Sequence, residues 1–129
     1  MEAIDPDVTV RLVTHDDAKQ AKHAAAVFGS SLTFIPKTIL LETEWVLRYG
    51  YGLHREDIAL SLRGILGLSG VTAEDAVSVR RALDLFDRGL DFADTLHLAG
   101  SAEANGFTTI DSTLAKRARA SGFGDVRAI

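Results

Sequence analysis

Cysteine is absent from all 129 residues, which excludes a disulfide framework, a thiolate metal site and a cysteine nucleophile together. Proline occurs twice and tryptophan once, so few positions carry a rigid turn or a large ring. Basic residues are not in excess: 14 Lys and Arg face 18 Asp and Glu, for a formal net charge of -4. A uniform electrostatic grip on nucleic acid is not expected of such a chain, although acids holding divalent cations would reverse the sign locally. Long apolar runs are missing too. Ala24 to Phe28 and Ile39 to Leu41 fall far short of the roughly 20 residues needed to cross a bilayer, so no membrane association is expected. Met1 leads almost directly into Ala3-Ile4-Asp5 with no basic leader before an apolar stretch; no signal peptide and a cytoplasmic location are the expectation. Neither Gly-x-Gly-x-x-Gly nor Gly-x-x-x-x-Gly-Lys is present, which argues against a nucleotide cofactor.

What remains is an ordinary globular composition, 47% hydrophobic and 25% charged, in a length that suits a single domain over residues 1–129. Residues 2–5 read as a brief strand stopped by Pro6, and 8–14 as a helix with Val8 and Leu12 in line. A second helix opens at Asp16-Asp17, buries Ala18, Ala21, Ala25 and Phe28, and stops at Gly29. Leu32 to Ile35 reads as a strand, and past Pro36 a helix runs from about Lys37 to Tyr49. Ile58, Leu62, Ile65 and Leu66 mark the next helix, and Thr72-Ala73-Glu74-Asp75 resembles a capping box for one that buries Val79, Leu83 and Phe86. A helix over 91–105, a strand over 107–110, a helix from Ser112 to Ala120 and an edge strand over 126–129 complete the order. Strands separated by one or two helices imply parallel pairing. The expected fold is α/β, with three α/β/α layers around a short-stranded, mostly parallel central sheet.

Carboxylates gather where such a sheet places a site. Asp91 and Asp94, three apart, share one face of a helical first turn, and the strand over 107–110 delivers Asp111 at its carboxyl end. Asp5 ends the first strand in the same sense. Glu42 falls on a stripe with Trp45, Val46 and Tyr49 that is otherwise apolar. Sites in open parallel sheets form beyond the carboxyl ends of the strands, so Asp5, Glu42, Asp94 and Asp111 are expected to converge, with Asp91 at their side. Repelling carboxylates in a partly buried cluster favour a divalent cation, and oxygen-only ligands favour Mg²⁺ or Mn²⁺ over zinc. Trp45 and Tyr49 are expected in core or dimer packing, His97 as a packing or surface residue, and Lys116, Arg117 and Arg119 as a solvated basic face.

Four segments carry a family resemblance. Ala3-Ile4-Asp5-Pro6-Asp7-Val8-Thr9-Val10-Arg11-Leu12 resembles the opening of PIN-domain ribonucleases, particularly the VapC toxins of bacterial toxin–antitoxin pairs. Leu40 to Leu47 is similar to their second motif, Leu90 to Leu98 to their third and Thr108 to Asp111 to their fourth, in the same order and across nearly the whole chain. The resemblance implies a PIN-like fold whose acidic site maps onto Asp5, Glu42, Asp94 and Asp111, with Asp91 as an additional carboxylate. It further implies Mg²⁺-dependent endonucleolytic cleavage of RNA, inhibition of translation, a homodimer, and a VapB-like antitoxin that blocks the site. One position departs from the pattern: Pro6-Asp7 stands where the family has Thr-Asn. That departure sustains an alternative, a catalytically weak PIN-like module that binds RNA or protein. A phosphoacceptor receiver domain also gathers aspartates, but it requires a lysine at a late strand end, and Lys116 lies within a helical pattern.

Overall fold

The computed structural model describes residues 1–129 throughout; it is a mixed α/β chain, 60% helical, with five short strands. Two compact units divide it, Met1–Ala76 and Val77–Ile129. No helix is long and apolar enough to cross a membrane.

The first unit contains β1 (Glu2–Ala3), α1 (Pro6–Thr14), α2 (Ala18–Ser30), β2 (Thr33–Ile35), α3 (Lys37–Trp45), a π-helical turn (Val46–Gly50), α4 (Arg55–Leu66) and β3 (Val71–Ala73). Its sheet runs β1-β2-β3 with every pairing parallel, Ala3 opposite Phe34 and Phe34 opposite Thr72. Helical crossovers between the strands make parallel pairing the natural outcome. Pro6 opens α1 at a position where its missing N–H costs nothing. On α2 the buried residues are Ala21, Ala24 and Phe28, whereas Ala18 and Ala25 are exposed. Spacings of three and four around Ala24 thus replace the expected line through Ala25. Ile35, Leu47, Ile58 and Leu62 are fully buried.

Another expectation fails in this unit. Thr72 is no helix cap but the centre of β3, paired with Phe34. Glu74 instead caps a helix distant in sequence: its Oε1 accepts the backbone N–H of Lys37 at 2.9 Å, where Pro36 supplies no capping side chain. The ion pair Lys37–Asp75, at 3.1 Å, closes the same contact. The stripe of Glu42, Trp45 and Tyr49 faces outward, with Trp45 55% and Tyr49 65% exposed, which excludes core packing for the aromatic pair. The buried face of α3 is formed by Leu40, Thr43 and Glu44.

The second unit holds α5 (Ala76–Asp87) from its second residue on, α6 (Phe92–Ala99), β4 (Phe107–Thr109), α7 (Ser112–Ala120) and β5 (Val126–Ala128). Strands β4 and β5 pair in parallel, Phe107 with Val126 and Thr109 with Ala128. Leu85, Leu90, Leu98, Leu114, Ala115, Ala118 and Val126 form its core, with Phe107 and Phe123 packed against it. Phe86 meets Phe92 edge to face at 5.3 Å. Helix α6 ends at Ala99, well before Asn105, because Gly100 weakens the next turn. Gly106 has a steric reason: a Cβ there would lie 2.9 Å from the Asp125 carbonyl, which accepts the Phe107 N–H at 2.8 Å. The five strands therefore form a three-stranded and a two-stranded sheet rather than one central sheet.

Candidate active site

The second unit brings three of the five expected acids under mutual influence. Asp91 is the N-cap of α6, its Oδ2 accepting the N–H groups of Ala93 at 3.1 Å and Asp94 at 3.4 Å. Asp111 is the N-cap of α7, accepting the Leu114 N–H at 3.0 Å, so the cap lies one residue before the expected Ser112. Each carboxylate meets the positive end of a helix. Two contacts hold these helix starts in place. Thr109 Oγ1 accepts the Asp111 N–H at 3.0 Å, and Arg117 on α7 donates to the Gly89 carbonyl at 3.1 Å, two residues before Asp91. Arg117, exposed as expected of a solvated basic face, also ties the two helix starts together.

Asp94, half-buried on the first turn of α6, responds to this arrangement. Burial pushes its carboxyl above the ordinary carboxylate range, the charge of Asp91 pushes it further, and Asp111 adds to the effect. Exposed His97 opposes them from the next turn. The ionised form of Asp94 is thus disfavoured by both desolvation and like charge, a pattern associated with functional carboxylates.

Asp5 and Glu42 belong to the first unit. Asp5 is the exposed N-cap of α1 and accepts the Asp7 N–H at 3.0 Å, so Pro6-Asp7 makes a well-formed helix start. Glu42 is exposed on α3. The helices that carry them pack together: Thr9 and Thr43, both fully buried, place their hydroxyls 2.6 Å apart. No group of three or more His, Cys, Asp or Glu side chains has the geometry to hold a metal ion.

The same unit contains polar features that the sequence reading missed. Glu44 is 1% exposed and forms an ion pair with Arg48 at 2.8 Å across one helical turn. The Arg48 guanidinium also lies 4.6 Å from the Tyr49 ring centroid. The spacing Glu44-x-x-x-Arg48 was the available signal. Tyr51 donates to Asp16 at 2.6 Å and accepts from Arg11 at 2.8 Å. Asp16 is held below the ordinary carboxylate range, first by the Tyr51 hydrogen bond, which together with Thr14 and Arg11 outweighs partial desolvation. Asp5, Asp7, Arg11, Gln20 and His23 line an open cavity of about 370 Å³ along α1 and α2. No family model matches the chain, and no significant match was found among curated proteins or solved structures.

Proposed function

We propose that the chain is a PIN-like, Mg²⁺-dependent endoribonuclease of the VapC type, acting as a cytoplasmic homodimer on RNA and blocked by a VapB-like antitoxin. The observation that carries this reading is the gathering of Asp91, Asp94 and Asp111 at two helix starts, close enough for the charges of the other two to act on Asp94. Like charges crowded against one another are what a divalent cation would relieve. An all-carboxylate donor set suits Mg²⁺ or Mn²⁺ in kind. Asp94, Asp91 and Asp111 are the acids of the second unit that the resemblance assigns to the ion, although their side chains are not arranged as a ready coordination group; Asp5 and Glu42 are the other two that it assigns.

When bound, Mg²⁺ lowers the pKa of a coordinated water and neutralises charge on a phosphodiester. The protein residues provide the frame. Asp91 and Asp111 hold their carboxylates in fixed directions because each is bonded to the N-terminus of its own helix. Thr109 sets the backbone entering Asp111, and Arg117 sets the segment entering Asp91. Asp94, whose ionised form is disfavoured by its surroundings, would gain the most from the charge of a neighbouring cation.

The test is cleavage of a single-stranded RNA with Mg²⁺ and with EDTA, comparing the native chain with Asp94→Asn. Cleavage that requires Mg²⁺ and is lost in the variant supports the proposal. Equal rates in EDTA, or a native rate in Asp94→Asn, would overturn it. A second reading, the RNA- or protein-binding module without turnover, is favoured by one feature: Asp5, Asp91 and Asp111 all serve as helix caps, a structural role that needs no reaction. It predicts binding in the same assay with no product.

A further inference from the structure

The second unit contains two adjoining open clefts around the start of β4. The first, about 190 Å³, is lined in part by Arg81, Ser101, Phe107 and Phe123; the second, about 290 Å³, by Asn105, Thr108 and Arg127. Gly106, Gly124 and Asp125 border both. Asp111 follows the opposite end of β4, so these clefts are a different place on the strand from the acids.

The chemistry of the lining is specific. Arg81 lies over Phe123 with its guanidinium carbon 4.1 Å from the ring centroid, leaving a planar cation at the cleft wall. Arg127 stands on β5 opposite Thr108, the exposed residue after buried Val126. Neither arginine takes part in an ion pair. Asp125 supplies an acceptor-only group between them. Its backbone is fixed by the Phe107 N–H, and the absence of a side chain at Gly106 is what lets that bond form.

A simple anion would gain from the arginines but meet Asp125. A nucleotide satisfies all three groups: phosphate to Arg127, the base stacked on the outer face of Arg81, and base N–H donors to Asp125. We propose that this double cleft is a nucleotide-binding site, for a free nucleotide or for one nucleotide of a single RNA strand. Binding here requires none of the carboxylates at the helix starts and no metal ion.

Backbone amide NMR of the full chain in EDTA tests it, titrating guanosine monophosphate, a short single-stranded RNA, or inorganic phosphate. Saturable shifts at Gly106, Gly124 and Asp125 are expected with the mononucleotide or the RNA, the tighter of the two identifying the natural source. Arg81→Ala and Arg127→Ala are each expected to weaken binding by about tenfold, the loss of one good charged or stacking contact. Absence of saturable shifts in both nucleotide arms, unchanged binding in the double variant, or phosphate binding as tightly as the nucleotide would overturn the assignment. Since every arm lacks divalent cation, an active nuclease that shows no such shifts sinks this site alone, and saturable binding in a chain that never cleaves RNA leaves it standing.

Discussion

Asp16 and Asp94 are the same residue in opposite circumstances. In the first unit, Asp16 accepts from Tyr51, Thr14 and Arg11, and its carboxyl is held below the ordinary range. In the second, Asp94 is pushed above that range by burial and by Asp91, with Asp111 adding its charge. Asp16 is matched by donors, as expected of a charge that contributes to folding. Asp94 is opposed by its surroundings, a pattern that clusters at functional sites.

The sharpest way to break this contrast is Asp94→Asn. RNA cleavage is expected to fall by at least about 100-fold, the scale of losing a group that acts in the transition state. The metal-free variant is expected to be no less stable than the native chain in urea unfolding, since the substitution removes a disfavoured charge. A clear loss of stability would show that Asp94 is structural. Arg48→Ala probes the third kind of acid, the buried and paired Glu44. Stranding that carboxylate is expected to cost about 3 kcal/mol in urea unfolding, and adding Glu44→Leu to recover most of it.

Smaller effects separate the two duties of Asp111. Asp111→Ala is expected to cost about 1 kcal/mol by removing the α7 cap, while Asp111→Asn keeps the cap. Both are expected to lower the Asp94 titration midpoint, read by carbon-13 NMR, because both remove a charge that raises it. The smallest effect concerns pH. The stability that Asp16 contributes is present above its unfolded pKa and is lost as pH falls through its lower folded value. For Asp94 the sign reverses: its penalty is full above its raised folded pKa and fades as pH falls through that value toward the unfolded one. Tyr51→Phe is expected to raise the Asp16 midpoint and to leave that of Asp94 in place.

Much of the helical frame was legible because acids and glycines mark helix ends. Asp17 caps its helix where a cap was sought, and Gly29 and Gly122 fall near the stops they were expected to make. Val71–Ala73 was not, since three residues are too few to show a period of two, and the Thr72-x-x-Asp75 pattern imitated a helix start. Strand partners were hidden for the same reason: a segment of three residues has too little pattern to specify its neighbour, so two sheets were read as one. The orientation of α3 was hidden differently. Trp45 and Tyr49 left core and dimer packing both open, and burying Leu40, Thr43 and Leu47 turned their stripe outward and carried Glu44 in with the core. Which face a helix buries is settled by its neighbours, and the choice reversed the roles of two glutamates two positions apart. At the candidate site, spacing alone placed Asp91 and Asp94 on a shared turn. The influence of Asp111 depended on long-range packing that no local pattern records.

The π-helical turn at Val46–Gly50 also sets where Tyr51 arrives. A π turn takes up about one residue more than an α turn, and each residue of α-helix advances the chain by about 100° around the axis. Had the segment continued as regular α-helix, the phenol would have been swung away from Arg11 and Asp16. The widened turn therefore acts as a spacer that lets the end of one helix latch onto the start of the chain. Deleting a single residue within it would unfasten that latch without touching any of the three side chains that form it.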